Sequence, residues 1–156
     1  MLELEIPGWA PLRLEHLVLD LNGTLALDGE LLPGVAERVE ALSVDLELHL
    51  ATADTHGRAA ALVEGLPLQL ALVERGQEAA QKLALVERLG AASCAVVGNG
   101  GNDAAALEAA ALGVAVCGEE GLARPSLLAC DLLVPSVLSA LDLFRFPRRL
   151  VATLRV

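Results

Sequence analysis

The sequence predicts an α/β fold: a three-layer, doubly wound, mostly parallel sheet with helices on both faces. Three observations predict it. Short apolar runs recur along the chain without polar alternation, as in strands buried on both faces. Segments of helical length separate these runs, and the connections between them are short. Finally, the run Leu17 to Leu19 delivers Asp20 to the point where the run gives out, and Gly23 then forces a turn. A strand that ends in an acid and a tight turn holds one reactive side chain at a sheet edge.

The chain has 156 residues, enough for one domain, residues 1–156, with a real core. Hydrophobic residues make up 54% and charged ones 21%, which argues against disorder. No apolar run reaches membrane-spanning length, and the start Met1-Leu2-Glu3-Leu4-Glu5 lacks the basic character of a signal peptide. A cytoplasmic location is expected. A net charge of −10 and the scarcity of aromatics argue against binding nucleic acid. The three cysteines show no CxxC spacing; Cys94 and Cys117 sit in runs that read as buried strands, so buried reduced thiols are expected. Of the eleven basic residues only Lys82 is a lysine, which leaves two readings, a place that calls for a compact ammonium or chance usage.

Taken in order, Leu2 to Ile6 alternates like an edge strand with one wet face, and Pro7-Gly8 ends it. The central strand, Leu17 to Leu21, follows, then a small hairpin around Asp28-Gly29. Pro33 opens a helix through about Leu42. Leu46 to Ala51 is the second buried strand; Asp54 or Thr55 caps a helix to Glu64, closed by Gly65. Leu68 to Val73 is a third strand, and a helix from Gln77 to Leu89 carries Lys82. Cys94 to Val97 makes a fourth strand, running into Gly98-Asn99-Gly100-Gly101-Asn102-Asp103. An Ala-rich helix then reaches Leu112, with Gly113 as its stop. Val114 to Cys117 and Leu132 to Val134 are the fifth and sixth strands, with a short helix from Pro125 to Ala129 between them. Ser136 caps a helix to about Phe144, and Leu150 to Val156 is expected to be a strand paired with the first.

In such folds ligands gather outside the carboxyl ends of the strands. Asp20, Thr52, Lys82 and Asn99 with Asp103 fall there or nearby, in that order. This set resembles the four motifs of the haloacid dehalogenase superfamily of phosphatases and phosphotransferases. The first is similar to Asp20-Leu21-Asn22-Gly23-Thr24, the second to Thr52, the third to Lys82 and the fourth to the loop Gly98 to Asp103. The tightest resemblance is to small stand-alone domains that look like the phosphorylation domain of P-type ion pumps.

The resemblance implies a magnesium-dependent phosphohydrolase or phosphotransferase. Asp20 would attack phosphorus and form an aspartyl phosphate. Asp20, the Asn22 carbonyl, Asn99 and Asp103 would hold Mg²⁺. Lys82 and Thr52 would neutralise and hydrogen-bond the transferring oxygens. Gly23, Thr24, Ala53, Asp54 and His56 would line the phosphate and substrate site, whereas His16 and His49 look structural. The expected substrate is a phosphorylated small molecule.

Two residues depart from the pattern. The position two after the nucleophile is an acid in phosphatases of the superfamily, and here it is Asn22, which cannot carry a proton. Asn99 likewise replaces a carboxylate. Slow turnover favouring good leaving groups is the expectation. A non-catalytic domain that binds a metal or a partner protein is the competing one. Asp20 to Thr52 spans 32 positions and Thr52 to Lys82 spans 30, all taken up by predicted elements, so no cap domain fits. An open crevice favours a homo-oligomer whose neighbouring subunit covers it. Two other readings fail: Asp103 at the third glycine position of a dinucleotide fingerprint would repel pyrophosphate, and the acid pair of a receiver domain is absent.

Overall fold

The computed structural model describes residues 1–53 and 58–156. Ten strands and seven α-helices are assigned among them. The main sheet takes β3 (His16–Leu19), β6 (Glu47–Thr52), β7 (Gln69–Leu72), β8 (Cys94–Gly98), β9 (Leu112–Val116) and β10 (Leu132–Val134). All of its pairings are parallel, in the spatial order β10-β9-β8-β3-β6-β7. Strands β8 and β9 read as unbroken apolar runs because both faces are covered, and β3 and β6 are apolar apart from His16, Glu47, His49 and Thr52. Chain order reverses direction between β3 and β8, and at such a switch point a crevice opens at the carboxyl edge.

Alternation along the strands divides the core. Leu17, Leu19, Leu48, Leu50, Ala95 and Val97 face one helical layer. That layer holds α1 (Val35–Leu42), α2 (Arg58–Leu62), α6 (Val137–Arg145) and α7 (Arg148–Leu154). Val18, Ala51, Val96 and Cys94 face the other layer, built on α3 (Glu78–Leu89) and α4 (Ala104–Ala109), with α5 (Arg124–Ala129) packed on α4. The expected three layers are therefore present.

The hairpin forms as β4 (Ala26–Leu27) and β5 (Glu30–Leu31), with Asp28 at φ 52° and Gly29 at φ 82°. Positive φ at both turn residues is what a two-residue hairpin turn requires. Ser136 caps α6 as expected, its hydroxyl accepting from the Ser139 N–H at 3.1 Å.

Several expectations are corrected. Leu150 to Val156 is not a strand: Leu150 and Leu154, four apart, are both buried, and that spacing selects helix α7. The partner of β1 (Leu2–Leu4) is instead β2 (Leu12–Leu14), in an antiparallel hairpin. The chain end does return to this region, with the Val156 N–H donating to the Pro7 carbonyl. The helix after Asp103 stops at Ala109, and Gly113 lies inside β9. A Cβ on Gly113 would come within 2.6 Å of the Leu107 carbonyl oxygen, so this glycine serves close helix–strand packing rather than a helix stop. Helix α1 begins at Val35 and not at Pro33, because the Val35 N–H closes a turn onto Leu32. Cys94 is buried as expected, but Cys117 lies just past the end of β9 and is exposed. The expected caps Asp54 and Thr55 lie outside the described residues.

Candidate functional site

Strand β3 ends at Leu19, and the Asp20 N–H remains tied to the sheet through the Val97 carbonyl at 3.0 Å. The Asp20 side chain is thereby fixed at the switch point. The chain then coils tightly: the Thr24 and Ala26 N–H groups both donate to the Leu21 carbonyl, and the Gly23 N–H donates to the Ala26 carbonyl. Gly23 takes φ 74°, and a Cβ there would lie 2.5 Å from Glu120 Oε2 and 2.6 Å from Asn99 Nδ2. Both the turn and the close approach demand glycine.

The two carboxylates of the set meet on the one lysine. Lys82 Nζ donates to Asp20 Oδ1 and to Asp103 Oδ1, each at 2.6 Å. Lys82 and Asp103 are 3% and 2% exposed, so this triad is almost withdrawn from water. Asp103 is itself held: its Oδ2 accepts from the Asn99 N–H at 3.0 Å and the Gly100 N–H at 2.9 Å. Those bonds fold the loop between β8 and α4 over the carboxylate, and the buried Ser126 hydroxyl donates to the Gly100 carbonyl from outside.

The charge count shapes the titration. Burial pushes the Asp20 carboxyl up, and neighbouring Asp103 adds to the rise, to about 6 against the pull of Lys82. Burial alone would lower the Lys82 pKa, but the two carboxylates outweigh it and hold the ammonium above its ordinary range. Two anions face one cation, so the site lacks one positive charge.

Of the other expected residues, Thr24 is buried and its hydroxyl donates to Asn99 Oδ1 at 3.3 Å, while Asn99 Nδ2 donates to the Gly121 carbonyl. Thr52 is buried at the end of β6, and Ala53 follows it, half-buried. Asn22, two residues after Asp20, is exposed. Asp54 and His56 lie outside the described residues. The structure thus joins Asp20, Lys82 and Asp103 directly, and Gly23, Thr24 and Asn99 beside them.

Sequence reasoning missed Glu120 and Ser126. Glu120 stands against Gly23 from the turn after β9, where an acid pair, Glu119-Glu120, follows a buried strand. That placement was a usable signal. Nothing local marks Ser126. A cavity of about 490 Å³ opens next to this cluster, between the β4–β5 hairpin and the start of α6. Gly23, Thr24, Leu27, Leu32, Cys117 and Leu138 are among its lining residues.

The oxygen-rich donor set at the switch point suits a hard dication such as Mg²⁺. Asp103 already spends one oxygen on Lys82 and the other on two amides, so its first task is to organise the loop.

No protein-family model matches the sequence. The uncharacterized protein MJ0073 of Methanocaldococcus jannaschii is 37% identical over 84 residues, which is 51% of this chain and 90% of that protein. Among solved structures, the chain is similar to 3-deoxy-D-manno-octulosonate 8-phosphate phosphatase from Moraxella catarrhalis, solved in complex with magnesium ion, phosphate ion and KDO. The TM-score is 0.70 at 16% identity, covering 91% of this chain and 94% of that one. It is also similar to part of a zinc-transporting PIB-type ATPase, with TM-score 0.59 at 25% identity, covering 79% of this chain and 20% of that one. The chain therefore has the fold of the haloacid dehalogenase superfamily and belongs to one sequence family with MJ0073.

Proposed function

We propose that the chain is a magnesium-dependent phosphohydrolase or phosphotransferase that works through an aspartyl phosphate on Asp20. The observation that carries this reading is the single ammonium of Lys82, 2.6 Å from both Asp20 and Asp103 in a buried crevice. A carboxylate approaching a phosphoryl dianion meets repulsion, and a fixed cation in low dielectric offsets it. Asp20 Oδ1 is held by Lys82, which leaves Oδ2 to attack phosphorus in line with the leaving oxygen. The bond from phosphorus to that oxygen breaks as the bond to Asp20 forms, and water then releases phosphate. The Gly23 turn lets backbone amides approach the phosphate, and Thr52 supplies a hydroxyl from the neighbouring strand end.

Asp20, the Asn22 carbonyl, Asn99 and Asp103 would hold Mg²⁺, which supplies the missing positive charge for the phosphoryl oxygens. The substrate is a phosphorylated small molecule, with the adjacent cavity receiving the part that bears the phosphate. The chain acts as a single domain and as a homo-oligomer in the cytoplasm.

Asn22 sets the rate. It stands where superfamily phosphatases carry a general acid, and loss of such help costs about 10²–10⁴ in rate. Anhydrides, acyl phosphates and aryl phosphates, which need no protonation on leaving, should be the better substrates. The test is a broad phosphodonor screen with magnesium, comparing an aryl with an alkyl phosphate. Faster aryl turnover, lost in Asp20→Asn, is the expected result. Asn22→Asp should raise alkyl-phosphate turnover. Equal aryl and alkyl rates in the wild type would overturn the leaving-group argument. Failure of Asp20 to react with any phosphodonor or to bind fluoroberyllate would leave a non-catalytic binding module.

A further inference from the structure

We propose that His16, Glu47 and His49 form a second metal site, for a transition-metal dication of the zinc type, at the end of the sheet away from Asp20. Parallel pairing sets His16 opposite Glu47 and Val18 opposite His49 on β3 and β6. Side chains two apart on a strand share a face, so all three groups project from the same side of the sheet. Among the described residues this is the one cluster of three His, Cys, Asp or Glu groups with converging ligand atoms.

The distances match a coordination shell. His16 Nδ1 lies 3.2 Å from His49 Nε2 and 3.5 Å from Glu47 Oε2, and all three atoms fall within 4.8 Å of one another. Zinc binds nitrogen and oxygen at about 2.0–2.2 Å, which puts neighbouring ligands of a tetrahedral ion about 3.3–3.6 Å apart. Two imidazoles and a carboxylate select zinc, cobalt, nickel or copper over magnesium and calcium. The oxygen-rich crevice at Asp20 has the opposite preference.

The surroundings allow entry and retention. His49 is buried, His16 is nearly so, and the Glu47 side chain is 63% exposed, so a fourth position is open to water. Cys94 pairs with His16 on its other side, but its thiol is directed to the Val86 carbonyl. Burial and the neighbouring His16 lower the His49 pKa, Arg88 adds to the fall, and the Glu47 carboxylate opposes it. His16 precedes Asp20 by four residues, roughly 13 Å of extended chain. An ion there would clip the start of β3, which leads into Asp20, to the start of β6, which ends in Thr52, without touching either of those residues.

The test titrates the purified full chain, in excess magnesium, with Zn²⁺ and with Co²⁺. Expected are one equivalent bound, a rise in Tm with Zn²⁺, and the visible absorption of a tetrahedral cobalt centre. His16→Gln and Glu47→Gln should each weaken uptake at least tenfold, leaving phosphate-ester turnover unchanged. Asp103→Asn and Cys117→Ser should bind as the wild type does. The proposal is overturned if the wild type shows no saturable uptake, which would leave the 3.2 Å contact as a histidine–histidine hydrogen bond. It is equally overturned if both glutamine variants bind normally, or if Asp103→Asn abolishes uptake.

Discussion

Asp20 and Lys82 are bound to opposite demands. The ammonium must sit between two carboxylates in a buried crevice, and removing it strands two like charges facing each other. Lys82→Met should therefore destabilise the protein by about 3–5 kcal/mol, the range for breaking a buried charged pair. Urea denaturation would show this, and Asp103→Asn in the same background should restore part of the loss. A Lys82→Met variant as stable as the wild type would mean that the triad is not held as described. Asp20→Asn is the contrasting case. It removes the surplus anion whose ionisation burial opposes, so it should lose all turnover yet melt no lower than the wild type.

At the scale of elements, helices α1 and α6 are locked by a two-pronged pair. Arg38 Nε and Nη2 donate to the two Asp142 oxygens at 3.0 and 3.1 Å, and Arg145 Nη1 adds a third bond at 2.8 Å. Burial works to raise the Asp142 carboxyl, but these bonds outweigh it and hold the group below its ordinary 3.8. A depressed carboxyl contributes stability that is full above 3.8 and is lost as pH falls through the lower, folded value. Melting temperature measured from pH 6 downward should thus fall more steeply in the wild type than in Asp142→Asn. Parallel curves would remove this pair from the account of acid stability.

For the whole molecule, two of the three thiols report how the layers close. Burial pushes the Cys94 thiol up to about 11, in the sheet beneath α3, whereas Cys117 is exposed on the cavity beside Gly23. Native protein treated with a thiol reagent should label quickly at Cys117 and at Cys94 only once unfolded, as read by peptide mass. Fast labelling of Cys94 would mean that the helical layer opens far more readily than this packing implies.

The apolar runs, their spacing and the order Asp20, Thr52, Lys82, Asn99 and Asp103 determined the layered sheet and the identity of the candidate site. A strand buried on both faces needs a continuous apolar sequence, and a reactive residue must stand where that sequence ends. What the sequence left open was decided by partners distant in the chain. Leu150 to Val156 reads as a strand until Leu150 and Leu154 find one core to share, and Gly113 reads as a helix stop until Leu107 packs against it. The convergence of Lys82 on two carboxylates depends on α3 lying across the switch point, which no local pattern encodes. The same holds for His16 and His49, separated by 33 positions in sequence and joined only by the register of β3 against β6. Local periodicity sets which face each residue takes; only the pairing of strands and the seating of helices sets which faces meet.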